Sequence, residues 1–167
     1  MGLDNIPVRY ACQSAGTAVM VERKDNDGNT IFNESSGLPE VRIDCKATID
    51  LGKCPYQLAM SKAGIEGGGV TGIFGTPCWY RGKYGNFLLD QLDIYSDGVT
   101  SFYGYEGDGT YKPPSECVDL SDSMEEAFAE RGGVLVHDGE DISQDVKYAI
   151  WWLKWVADEC GGTHCWY

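Results

Sequence analysis

No apolar run in this 167-residue chain approaches the roughly 18 residues that a membrane-spanning helix needs. The longest, at 149–153 and 133–136, are far shorter, so no membrane partner is expected. The opening MGLDNIP has neither the basic stretch nor the apolar stretch of a secretory signal. Ile6 stands where N-myristoylation wants Ser or Thr. A cytoplasmic protein is the expectation. There is no internal repeat, low-complexity tract or long linker to divide the chain, so residues 1–167 read as one α+β domain. Walker and Gly-x-Gly-x-x-Gly loops are missing, as is any Cys-x-x-Cys pair. No nucleophile and base stand at a recognisable spacing, and the chain reads as non-enzymatic.

Positive charge is scarce in one half only. Residues 1–83 hold nine Lys/Arg against nine Asp/Glu. Residues 84–167 hold only Lys112, Arg131, Lys147 and Lys154 against seventeen acids, so this half carries the whole net charge of −13. An acidic surface repels phosphate backbones, which argues against direct nucleic-acid binding. It serves either as a solvated face or as a surface for a host protein with basic character.

The periodicities predict a small antiparallel sheet with hairpins packed on a long Trp-rich C-terminal helix and two or three shorter helices. Residues 17–23 read as a strand, turning at Asp25-Asn26-Asp27-Gly28 into a return strand at 30–32. An EF-hand reading of that turn puts Arg23 at the first ligand position and is rejected. Residues 40–44 alternate as a half-buried strand. Pro55 and Gly64 bracket a helix over 56–63. A glycine-heavy segment follows at 64–75, then a helix over 86–92 and a hairpin from 99–105 to 110–111. Asp122 or Ser123, with Glu125 or Glu126, predicts a capping box for a helix ending at Arg131. Residues 134–137 read as a short buried strand. Ser143 is expected to cap the last helix, whose apolar stripe runs through Val146, Ala149, Ile150, Leu153, Val156, Ala157 and Cys160. Trp151, Trp152 and Trp155 lie beside that stripe and serve either the core or a partner or subunit contact, a homo-oligomer included.

Three clusters are able to carry chemistry. Seven cysteines, an odd number, in a chain without a secretory signal read as thiols or metal ligands. Cys12, Cys45, Cys54 and Cys78 are the candidate set for a structural zinc, the alternative being inert buried thiols. The loop Trp79-Tyr80-Arg81 with Lys83, Tyr84 and Asn86 combines cations, aromatics and an amide. It is the candidate site for a small phosphate-bearing ligand or nucleotide. His137 and Asp138, with Cys78, are weak candidates for a catalytic pair.

The opening Gly2-Leu3-Asp4-Asn5-Ile6-Pro7 with Tyr10 and Cys12, and the run from Gly72 to Gly75 into Cys78–Asn86, resemble uncharacterised small proteins of tailed phages. The resemblance covers about a quarter of the chain and implies neither a fold nor an activity. It does imply a phage or mobile-element accessory protein, acting in the host cytoplasm. The readings are then a non-enzymatic binding protein using the acidic half, a phosphate-ligand protein using the 79–86 loop, or a virion or assembly component.

Overall fold

The apolar stripe of the last helix has to be covered, and its packing organises the molecule. The computed structural model describes residues 3–66, 76–82, 87–94 and 111–166. Within these, β1 (Leu3–Pro7), α1 (Ala11–Ser14), β2 (Met20–Glu22), β3 (Val41–Ile43), α2 (Cys45–Asp50) and α3 (Pro55–Ala63) come first. β4 (Tyr80–Gly82), α4 (Phe87–Gln91), β5 (Tyr111–Lys112), α5 (Pro114–Glu130), β6 (Val136–His137), β7 (Glu140–Asp141), α6 (Ser143–Glu159) and β8 (Thr163–Trp166) follow. The fold is α+β with small antiparallel sheets, as expected.

α6 is helical because Val146, Ala149, Leu153, Val156 and Cys160 fall on one face, and all are buried. α5 packs along it more extensively than any other pair of elements, contributing Cys117, Leu120, Met124, Ala127 and Phe128. Ser121, on the same face, donates its hydroxyl to the Ile150 carbonyl at 2.7 Å. α4 adds Leu88 and Leu89, with Leu92 just beyond its end.

The main sheet runs β4-β1-β8-β5. β1 pairs with β8, setting Asn5 opposite Cys165 and Ile6 opposite His164. On its other edge β1 sets Asp4 opposite Arg81. Asn5 is buried and donates its amide to the Tyr80 carbonyl at 3.1 Å, and the Thr163 hydroxyl donates to the Ile6 carbonyl at 2.9 Å. Side chains thus reinforce the backbone ladder on both edges of β1.

Residues 17–44 form an arm. β2 pairs with β3, and the expected return strand at 30–32 is reduced to the single bridges Lys24–Thr30 and Phe32–Pro39. The cause is local. The Asp25 carboxylate accepts from the Asp27 and Asn29 amides, as predicted for a turn. Asn33 then makes a second turn by accepting from Ser35 and Ser36.

Two helix starts differ from expectation. α5 begins at Pro114, eight residues before the predicted cap. Proline at the first helical position loses an N–H that would be unbonded anyway. Asp122 and Ser123 are interior, and the Ser123 hydroxyl donates back to the Asp119 carbonyl. Ser143 is the first residue of α6, not its cap. Asp141 accepts from the Ser143 amide, freeing the Ser143 hydroxyl to accept from Leu135 N–H.

The expected buried strand at 134–137 is a two-residue ladder closed by Asp138-Gly139, both at positive φ as a tight hairpin turn requires. Only Leu135 is buried there, while Val134 and Val136 are 51% and 56% exposed. α2 was not predicted. It is capped by the Asp44 carboxylate accepting from Ala47 N–H. The Gly-rich segment over 67–75 and the hairpin over 99–110 lie outside the described residues.

Gly162 makes the junction of α6 and β8 possible. Its φ is +101°, and a Cβ there would sit 2.3 Å from the Lys112 carbonyl oxygen. Gly162→Ala should therefore strain both the backbone and the β5–β8 pairing, costing on the order of 1–3 kcal/mol. Thermal unfolding should show a Tm several degrees lower, and an unchanged Tm would sink this account.

Candidate functional site

The described residues of the aromatic-cationic loop, Trp79, Tyr80 and Arg81, all make structural contacts. Trp79 donates its indole N–H to the Tyr10 hydroxyl at 3.0 Å. Tyr80 is fully buried, its ring 5.1 Å from Tyr148 and 5.5 Å from Trp152. Arg81 makes a bidentate pair with Asp4, Nε to Oδ1 at 2.7 Å and Nη2 to Oδ2 at 3.2 Å. That bond raises the Arg81 pKa still further. The other three candidates, Lys83, Tyr84 and Asn86, lie outside the described residues.

His137 meets Asp138, Nε2 to Oδ2 at 3.2 Å. Its Nδ1 lies 3.0 Å from Gln91 Oε1, and its ring stands edge-on to Phe87. Among the described residues nothing joins His137 to Cys78. The thiol faces a different place, and the backbone carbonyl of Cys78 accepts the Trp152 indole N–H at 2.9 Å.

Of the three helix tryptophans, Trp152 and Trp155 belong to the core. Trp151 is half-buried, stacked on Trp155 with ring centres 6.0 Å apart and tilted against Tyr56. An acidic stripe lies on α5. Asp119, Asp122, Glu126 and Glu130 recur at three- and four-residue spacing and are all exposed, with Glu125 beside them. Lys154 reaches this face, at 2.6 Å from Glu125 and 3.3 Å from Asp122. Arg131 pairs with Asp93 at 2.7 Å, and Lys112 is buried beside Glu116. The expected helix, capped at Asp122 or Ser123, leaves out Asp119, which joins the stripe because α5 starts at Pro114.

The four cysteines singled out as a set do come to one place. Cys12 on α1, Cys45 opening α2, Cys54 capping α3 and Cys78 before β4 all line a single cavity of about 30 Å³. Tyr56, Thr48 and Trp155 share its wall. All seven cysteines are free thiols. Burial raises the Cys12, Cys45 and Cys78 pKa values, and the neighbouring thiols push the same way. As placed, no three His, Cys, Asp or Glu side chains among the described residues are ready to hold a metal ion. No protein-family model, curated protein or solved structure matches the chain.

Burial pushes Cys117 and Cys160, outside this set of four, up to about 12. Both stay neutral in the fold at a pH where the unfolded chain ionises them. The stability they contribute is complete below the ordinary thiol value of 9.0 and is lost as pH rises toward about 12. Buried Tyr80 and Tyr148 act in the same direction. Lys112, lowered by burial, opposes them up to 10.5. Thermal melts should show Tm falling as pH rises above about 9, and a flat profile would contradict this assignment.

Proposed function

We propose that this is a non-enzymatic binding protein, a phage or mobile-element accessory protein acting in the host cytoplasm. It engages a host protein with a basic surface through the outer face of α5. What supports this reading most is that the Asp119, Asp122, Glu126 and Glu130 stripe is exposed on a helix whose opposite face is locked against α6. A predominantly acidic face of this kind steers a basic partner and raises association rates, with strong salt dependence. Among the described residues Lys154 is the cation that reaches the face, and it answers Glu125 and Asp122, not Asp119, Glu126 or Glu130. The phosphate-ligand reading has less support, since Arg81 is engaged by Asp4.

The test is the quadruple substitution Asp119→Asn, Asp122→Asn, Glu126→Gln, Glu130→Gln, all surface changes expected to leave Tm within a few degrees. In native capture from host extract, the wild-type chain should retain a basic protein that is released by salt. The neutralised chain should associate with it at least ~10-fold more slowly at low salt. Equal retention by both chains, or no basic protein retained by the wild type, would count against the proposal.

A further inference from the structure

Residues 8–66 have almost no core of their own. Across this stretch only Ala11, Thr48 and Tyr56 are buried, whereas the buried apolar cluster is drawn chiefly from residue 80 onward. A segment that buries so little apolar surface needs another source of cohesion, and small protein units find it in disulfides or structural metals. The same stretch supplies three of the four thiols on the cavity, and Cys78, whose carbonyl is tied to Trp152 of α6, supplies the fourth.

A second feature belongs to the cavity wall. Trp155 is buried, yet its indole N–H has no hydrogen-bond partner among the described residues. A buried donor left unbonded is costly. A metal-bound thiolate is an acceptor for such an N–H, and hydrogen bonds to ligand sulfurs are a regular part of thiolate sites.

We propose that Cys12, Cys45, Cys54 and Cys78 form a tetrathiolate site for a soft divalent cation of the zinc type, which staples residues 8–66 to the core. The cavity of about 30 Å³ exceeds the roughly 10–15 Å³ that a single water needs. As placed, the sulfurs do not form a ligand set, so metal uptake requires the side chains around the cavity to rearrange on the ion. Each thiol gives its proton to solvent as its sulfur takes a coordinate bond at about 2.3 Å, and no electron changes hands.

The test uses the full chain, purified under reducing conditions, stripped with chelator and titrated with Co²⁺. One equivalent should bind, giving the charge-transfer and visible bands of a tetrahedral tetrathiolate, and Zn²⁺ should bleach them. Cys45→Ser and Cys54→Ser should each weaken binding at least ~10-fold, while Cys117→Ser should not. Because a serine variant could unfold, trypsin sensitivity of the wild-type chain supplies a second readout. Cleavage at Arg23, Lys46, Lys53 and Lys62 should accelerate at least ~10-fold on chelation and recover with Zn²⁺. Absent thiolate bands, bands unchanged in Cys45→Ser, disulfides with no metal uptake, or chelator-independent cleavage would each overturn the proposal.

Discussion

The pairing of β1 with β8 is the constraint on which the other contacts depend. It joins segments more than 150 residues apart, with Asn5 opposite Cys165, and so draws the end of α6 against the start of the chain. Once β8 is in place, Gly162 brings the backbone up to β5. β1 then offers its other edge to β4, setting Asp4 against Arg81. Such long-range closure carries a high entropy cost before any contact repays it. It is accordingly backed by buried side-chain bonds from Asn5 and Thr163, not by the ladder alone.

What could be read from sequence follows from how local each signal is. α6 carries its own periodicity, and the structure buries the stripe from Val146 to Cys160. α3 is punctuated by Pro55 and by Gly64 in the left-handed region. α5 was begun late because Asp122 and Ser123 resemble caps more than Pro113-Pro114 does, although proline opens helices for a sound steric reason. The strands at the two ends were invisible. Residues 3–7 and 163–166 have no alternation that distinguishes them, and the identity of their partners lies far away in the chain. The same holds for the candidate site. Residue type and order nominated Cys12, Cys45, Cys54 and Cys78, while their convergence depends on α1, α2, α3 and the turn before β4 all bordering one cavity beside Trp155 of α6.

Arg81 shows the opposite case. In sequence it reads as a cation in a ligand loop, but strand register places Asp4 directly across from it. Two hydrogen bonds then engage the guanidinium. A charged residue gains meaning only when its cross-strand neighbour is known.

The three tryptophans of α6 connect these observations. The helix carries more aromatic surface than one core-facing stripe requires, and the surplus attaches the first half of the chain. The Trp152 N–H anchors the Cys78 carbonyl, fixing the turn that presents the Cys78 thiol. Trp155 walls the cavity that this thiol shares with Cys12, Cys45 and Cys54. Trp151 and Trp155 hold Tyr56 of α3 against the core, and Tyr56 in turn hydrogen-bonds Tyr148 at 2.8 Å. One face of α6 therefore receives α5, whose outer side carries the acidic stripe. The tryptophan side receives residues 8–66, whose attachment depends on very few buried groups. The two halves that differ in charge meet along this helix as well as across the β1–β8 pairing, and the cysteine cavity lies on its tryptophan side.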